Sequence, residues 1–235
     1  MNRRTELLIG AGGLQRLQTA HVLVVGLGGV GGYAAELIAR AGVGRMTIVD
    51  GDTVSESNIN RQIVALHSTV GRPKAGLFAE RLRDINPQLE LTVVDEYLRD
   101  DRLTALLEAH RYSCVVDAID TLSPKVFLLY HCHRLGLPVV SSMGSGGRRD
   151  GSRVQTADIS RSHGCPLAAM VRKRLRRMGV EEGIRTVFSD EPVPEQAMRE
   201  ELGDNKRTVL GTISYLPALF GCRLAEEAIR IIIES

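Results

Sequence analysis

No stretch of this chain is apolar for the roughly 20 residues that a membrane-spanning helix needs. The apolar part of Met1–Gly10 is too short for the core of a secretory signal peptide. A cytoplasmic protein with no membrane partner is therefore expected. Cysteine is scarce: Cys114, Cys132, Cys165 and Cys222 are the four, and no two have C-x-x-C spacing. That spacing excludes a zinc knuckle and a dense disulfide framework, so no structural zinc is expected. Reduced thiols behave as small buried hydrophobes. Cys114 falls in an apolar strand pattern, and Cys132 and Cys222 fall in helical ones. Charge of one sign is also missing: 30 Lys and Arg stand against 28 Asp and Glu, a net of +2, which names no partner. Repeats and low-complexity tracts are absent. What remains is a 235-residue chain, 43% hydrophobic, long enough for one substantial core.

The most informative segment present is His21–Gly31. Four apolar residues, Val22 to Val25, run into Gly26, Gly28, Gly29 and Gly31. A buried parallel strand reads this way, followed by a Gly-rich turn that opens a helix at Tyr33–Arg40. The start of such a helix directs backbone N–H groups and a positive dipole end at a phosphate. The next strand, Met46–Val49, ends in Asp50, about 20 residues on, where a ribose-binding carboxylate belongs. The first fifty residues thus read as a nucleotide site.

Strands are expected at 21–25, 46–49, 90–94, 114–119 and 137–141, with helices near 30–40, 73–85, 101–109 and 123–134. This alternation predicts an α/β fold: a Rossmann-like open, mostly parallel twisted sheet with helices on both faces. After residue 141 the pattern loosens. Met143–Gly151 reads as a loop, Val154–Ile159 and Thr186–Phe188 as strands, and Pro166–Met178 as a helix with proline at its start and Gly179 past its end. Ser189–Thr208, polar and holding Pro192 and Pro194, reads as a long excursion or crossover loop. A strong helix, roughly Leu216 to Ile233, closes the chain.

A glycine-rich turn alone also fits a dinucleotide-binding dehydrogenase. The run after it does not. Asp52, Ser57, Asn58 and Arg61 fall within Asp50–Gln62, and Lys74 follows in Val70–Lys74. Asp117-Ala-Ile-Asp120 comes at the end of the fourth strand. Carboxyl ends of strands line the ligand crevice of an open α/β sheet. Cations there can hold a triphosphate, and a carboxylate can hold its magnesium.

These residues resemble the superfamily that activates carboxylates with ATP on the fold of ubiquitin-activating enzymes. The similarity is greatest to its tRNA threonylcarbamoyladenosine dehydratase branch. It spans Arg4–Gly10, the glycine turn, Asp50–Gln62, Val70–Lys74, Ile85–Pro87, Asp117–Lys125, Pro166–Ala169 and Thr212–Gly221. The resemblance implies one adenylating domain over 1–235: an N-terminal arm (1–20), a nucleotide-binding core (21–141) and an acceptor-binding C-terminal part (142–235). It implies that Gly26, Gly28, Gly29 and Gly31 let backbone approach ATP and that Asp50 holds the ribose. Asn58, Arg61 and Lys74 would neutralise phosphates, with Asp52, Ser57 and Thr121 beside them. Asp120 would hold Mg2+ through ATP. Arg4, or its neighbour Arg3, would reach the partner's ATP in a homodimer. Asp117 reads as structural.

The implied reaction is ATP-dependent cyclisation of threonylcarbamoyladenosine beside the tRNA anticodon, through an acyl-adenylate on the threonyl carboxylate. Three rivals stand beside it. One is an activator of the C-terminal tail of a small sulfur-carrier protein, which would bring a sulfurtransferase partner. That branch usually bears paired C-x-x-C zinc ligands, absent here, and Ser189–Thr208 offers no thiol for a thioester. The others are an NAD-dependent oxidoreductase and a regulatory nucleotide-binding subunit, neither of which uses Arg61, Lys74 and Asp120. Arg172, Lys173, Arg174, Arg176 and Arg177, with no acid among them, read as a tRNA-binding cluster. Their alternative role is to complement the C-terminal dipole of their own helix.

Overall fold

The computed structural model describes residues 2–98, 100–201 and 207–235. Its centre is a seven-stranded sheet in the order β3-β2-β1-β4-β5-β7-β6. The strands are β1 (His21–Val25), β2 (Arg45–Val49), β3 (Glu90–Val94), β4 (Cys114–Asp117), β5 (Val139–Ser142), β6 (Val154–Asp158) and β7 (Arg185–Ser189). Every pairing is parallel except β6 with β7. Strand order reverses at β1, where the connections turn from β2 and β3 on one side to β4 and β5 on the other. That switch point opens a crevice at the strands' carboxyl ends.

Both faces of β1 are buried, so its apolar run needs no polar alternation. Val22 and Val24 pack with Ile38 of α2 (Gly31–Ala41), Phe78 of α3 (Lys74–Ile85) and Leu224 of α7 (Tyr215–Glu234). Leu23 and Val25 face the opposite layer. There Leu107 of α4 (Asp100–Ala109), Leu128 of α5 (Leu122–Arg134) and Val171 of α6 (Pro166–Arg177) complete the second core. The two layers form a doubly wound α/β sandwich, as the alternation of strand and helix predicts.

Three segments differ from the sequence expectation. The N-terminal arm is a helix, α1 (Arg3–Thr19), kinked at Gly10, where φ is 75°. Leu14 and Leu17 are its buried anchors, while Leu7 and Leu8 are 81% and 86% exposed. The polar excursion after Ser189 contains a short 3-10 turn at Glu195–Ala197 and a two-stranded antiparallel hairpin, β8 (Met198–Glu201) with β9 (Arg207–Leu210). The fourth strand stops at Asp117, two residues earlier than its apolar pattern suggests, because the Asp117 carboxylate caps the Ile119 N–H and turns the chain.

Candidate functional site

The turn after β1 is glycine-rich for steric reasons that can be read atom by atom. A Cβ on Gly31 would lie 1.8 Å from the Gly26 carbonyl oxygen, and Gly26 itself has φ +91° with the Ala118 carbonyl 2.8 Å from its own notional Cβ. No other residue type fits either position. Gly29 is packed against Pro217 of α7 and Arg61, with a notional Cβ 3.1 and 3.2 Å from them. The glycines thus let the turn pack closely against the chain leaving β4, the Arg61 loop and α7, and it leads straight into α2.

Asp50 follows the end of β2 beside this turn. Its carboxylate accepts the Leu27 N–H at 2.6 Å and the Asp52 N–H at 2.8 Å. Burial raises its pKa above the usual carboxylate value, and those two N–H groups oppose that rise. The Asp50 side chain is thus fixed on the glycine turn itself. Lys74 starts α3 and is only 4% exposed. Its ammonium donates to Asp52 Oδ2 at 2.9 Å, and the Tyr97 hydroxyl donates to the other carboxylate oxygen.

Arg61 projects from the loop between β2 and α3. It donates to the Ser57 carbonyl at 2.9 Å and to Asn60 Oδ1 at 2.8 Å. Burial lowers its pKa, and the nearby charge of Asp120 works against that shift. Asn58 is buried and holds the loop by accepting the Ser55 N–H at 3.2 Å; Ser57 is exposed and shares a hydrogen bond with the Ser55 hydroxyl. Asp120 and Thr121 are exposed just before α5. The structure thus gathers Gly26–Gly31, Asp50, Asp52, Arg61, Lys74 and Asp120 on adjacent strand ends. Arg4 stands apart, exposed in the first turn of α1. Asp117 is fully buried and ion-paired with Lys125.

Sequence reasoning passes over four neighbours. Gln62 is buried against Gly28, and its side-chain oxygen has no hydrogen-bond partner. Asn60 donates to the Thr212 carbonyl at 2.9 Å and so joins the Arg61 loop to the chain entering α7. Tyr97 and Pro217 come from distant segments. Gln62 and Asn60 flank Arg61 in sequence, which is the one signal that points to them.

Beyond the end of β5 lies an open cleft with a volume of about 550 Å³. It is bounded by Gly147, Arg149, Glu191, Pro192, Pro194 and Ile213. Arg148, buried, braces it by donating to the Glu191 carbonyl at 2.9 Å. The Gly147 N–H donates to the Gly211 carbonyl at 2.7 Å, so the excursion after β7 closes over this edge of the sheet.

On α6, Ala168, Val171 and Leu175 face inward and Leu167 is half-buried. Lys173, Arg176 and Arg177 are exposed. Arg172 is engaged instead in local structure, donating to the Ser162 carbonyl at 2.8 Å and hydroxyl at 2.7 Å. Arg174 donates to the Ser123 hydroxyl at 2.9 Å, linking the basic helix to the first turn of α5, three residues past Asp120.

The sequence that builds this switch-point crevice matches a known family model, that of the ThiF family, over residues 2–235. The chain belongs to the ThiF family. A tRNA threonylcarbamoyladenosine dehydratase of Bacillus subtilis is 40% identical over 208 residues, 88% of this chain and 82% of that protein. The Escherichia coli protein of the same name is 42% identical over 194 residues, 80% of this chain and 72% of its own length. Among solved structures, the E. coli dehydratase TcdA in complex with ATP superposes with a TM-score of 0.90 at 37% identity, covering 99% of this chain and 93% of that one. A second TcdA structure holds AMP. Adenylyltransferases align over less of the chain. The Salmonella typhimurium molybdopterin-synthase adenylyltransferase is 41% identical over 139 residues, 59% of this chain.

Among the described residues, no helix is long and apolar enough to cross a membrane. Also among them, no three His, Cys, Asp or Glu side chains stand together as a metal-binding group. Cys114, Cys132 and Cys165 are buried and Cys222 is exposed. Burial pushes the Cys114 thiol up to about 12, so it stays protonated at neutral pH.

Proposed function

We propose that this chain is an ATP-dependent tRNA threonylcarbamoyladenosine dehydratase, a cytoplasmic ligase/cyclase built as one adenylating domain. The observation that carries the reading is joint: an intact nucleotide crevice within a chain that is 40% identical to the B. subtilis dehydratase across 82% of that protein's length. Supporting ATP is the position of the glycine turn, which runs from the end of β1 into the start of α2, where a helix's free N–H groups suit a phosphate. Gln62 Oε1, a buried acceptor without a donor, fits a ligand hydroxyl or amine. The fixed carboxylate of Asp50 would accept the ribose hydroxyls.

Magnesium fits through the nucleotide. This ion usually takes one or two carboxylates plus phosphate oxygens and water, rather than a cage of protein ligands. Asp120 supplies the carboxylate, with the Thr121 hydroxyl next to it. When bound, the ion would neutralise phosphate charge.

In the proposed reaction, the threonyl carboxylate attacks the α-phosphorus of ATP and pyrophosphate leaves. Negative charge spreads over the phosphate oxygens. Arg61 and Lys74 hold positive charge where it develops, in a site partly shielded from water. Asn58 and Ser57 keep the Arg61 loop in place. The substrate's own carbamoyl group then attacks the activated acyl carbon, a ring closes and AMP leaves. Water is lost overall, taken up in splitting ATP to AMP and pyrophosphate. Because the attack is intramolecular, no enzymic nucleophile is needed. That agrees with a set of thiols of which three are buried.

The tRNA would lie with its backbone on Lys173, Arg174, Arg176 and Arg177, Arg172 serving mainly to brace the helix. The anticodon nucleotide would enter the cleft beside Arg149. A homodimer is proposed, with Arg4 reaching the partner's ATP, and no structural zinc. A sulfurtransferase partner fits the second reading, activation of a small protein's C-terminal tail. That reading is favoured by matches to adenylyltransferases over 139–142 residues, which take in about 60% of the chain.

The deciding experiment incubates the purified protein with ATP, Mg2+ and tRNA carrying the open nucleoside. Digestion and mass spectrometry should find a nucleoside lighter by one water, with AMP released in equal amount. Open nucleoside left unchanged, together with AMP release dependent on an added protein tail, would establish the second reading instead.

A further inference from the structure

Lys125 is a fully buried cation that the proposed chemistry does not use. Its side chain and that of Asp117 are both 0% exposed, and their charged atoms are 2.5 Å apart. The Lys125 ammonium also donates to the Ser142 carbonyl at 2.8 Å and to the Ser141 hydroxyl oxygen at 3.3 Å. These three acceptors account for all three ammonium hydrogens. The Ser141 hydroxyl in turn donates to Asp117 Oδ2 at 2.6 Å, while Asp117 Oδ1 accepts the Ile119 N–H at 3.1 Å.

Stability alone explains such a pair poorly. Well-packed apolar replacements of a buried ion pair are often as stable as the pair or more so. Its geometry offers a better reason. Lys125 stands in the first turn of α5 and ties together the last residues of β4 and β5. The chain between Asp117 and Lys125 is the loop that presents Asp120 and Thr121 to the crevice. The chain leaving Ser142 is the glycine-rich loop that leads to the cleft beside Arg149.

We propose that Lys125 and Asp117 are positioning residues, a buried clamp that holds the Asp120 loop in its metal-binding geometry and sets it against the acceptor cleft. Neither touches the substrate or ATP. The inference rests on the reading of Asp120 as the carboxylate that meets Mg2+ through ATP.

The test uses the full chain carrying Asp117→Asn with Lys125→Met. This pair removes both charges together and leaves an acceptor for the Ile119 N–H. Affinity for a fluorescent ATP analogue is measured with and without Mg2+, beside single-turnover AMP release with tRNA. Affinity without Mg2+ should stay within about threefold of the parent, because Asp50 and Lys74 belong to other elements and neither shares a partner with the clamp. The gain in affinity on adding Mg2+ should shrink at least about tenfold, and AMP release at saturating ATP and tRNA should slow about thirtyfold or more. Asp120→Ala should lose the same Mg2+-dependent gain, and adding it to the paired variant should cost nothing further. That non-additivity is the signature of one residue acting through another, and a role in stability alone would not produce it.

Additive losses, a Mg2+ response within about threefold of the parent, or a parent whose ATP affinity ignores Mg2+ would each overturn the proposal. If the paired variant does not fold, Ser141→Ala, which removes one hydroxyl from the clamp, decides by the same cycle with Asp120→Ala. A parent that binds Mg2+-ATP but releases no AMP with tRNA would refute the substrate reading, while the Mg2+ cycle would still judge the clamp.

Discussion

Lys74 carries a charge at 4% exposure, and that setting is what suits it to the site. A cation held out of water acts strongly on nearby charge, and Asp52 keeps it oriented. Arg61 is held similarly by Ser57 and Asn60. Lys74→Ala and Arg61→Ala should therefore lower the rate of AMP formation by roughly 10²–10³-fold, in line with losing one preorganised charge at a transition state. ATP affinity should change far less. Rapid-quench measurement of AMP, beside equilibrium ATP binding, separates the two effects, and normal turnover in either variant would remove that residue from the mechanism. Asp50→Ala should act the other way, weakening ATP binding first.

His21 gives a residue-scale prediction about pH. It is buried at the far end of β1, its Nε2 2.9 Å from the Thr47 hydroxyl, with the rings of His110 and Tyr112 against it. Burial, and then the charges of His110 and Arg45, push its pKa from 6.5 down to about 4. Between those values the unfolded chain binds the proton and the folded one does not. The contribution is complete above pH 6.5 and is lost as pH falls toward 4. Urea unfolding across this window should show stability falling by on the order of 2–3 kcal/mol more than in a His21→Gln variant. Equal slopes would assign the acid sensitivity elsewhere.

Among the elements, those with two apolar faces or a sharp chemical signature are legible in the sequence. β1, β2 and β3 lie within one residue of the strands expected from apolar runs, and the Gly26–Gly31 turn needs glycine for contacts its spacing already implies. α1 is not legible. Its apolar residues divide between buried Leu14 and Leu17 and exposed Leu7 and Leu8, so no single face repeats. The β8–β9 hairpin is equally hidden, because its polar sequence lacks the alternation that marks a half-buried strand. In the site, Asp50, Arg61 and Lys74 can be found because they crowd into one short run. Tyr97 and Pro217 cannot, since the sheet alone brings them there from distant segments; nor can the clamp's link from Lys125 to Ser141 and Ser142, which needs β4 and β5 side by side.

The basic helix α6 is an element-scale case. Its run 172–177 looks uniform in sequence, but Arg172 is bound to Ser162 while Lys173, Arg176 and Arg177 are exposed. Reversing Lys173, Arg176 and Arg177 to Glu should therefore weaken tRNA binding without loosening the helix's anchor. Neutralising a phosphate releases its counterions, so the slope of log affinity against log salt should fall by about 0.7–0.9 for each phosphate no longer neutralised. ATP binding should stay near that of the parent. If melting temperature falls while tRNA affinity and its salt slope hold, the charges serve the helix dipole instead.

At the scale of the whole molecule, one proposed functional residue lies away from the crevice. Arg4 is in the first turn of α1, whereas Asp50, Arg61 and Lys74 cluster at the switch point. Next to it, Leu7 and Leu8 are more than four-fifths exposed, an apolar display that isolated surface helices seldom carry. A second copy of the chain would cover those leucines and bring Arg4 to the neighbouring ATP. Two-fold dimers are the commonest oligomers, and their symmetry would complete both sites at once. Mixing inactive Arg4→Ala subunits with inactive Lys74→Ala subunits should then restore activity, because one of the two sites in each hybrid dimer has both residues intact. With random exchange, half of the dimers are hybrids, so recovery should approach about a quarter of parental activity per site. Leu7→Asp with Leu8→Asp should shift sedimentation toward a monomer and abolish the recovery. A parent that sediments as a monomer, or mixed subunits that exchange without regaining activity, would confine Arg4 to its own chain.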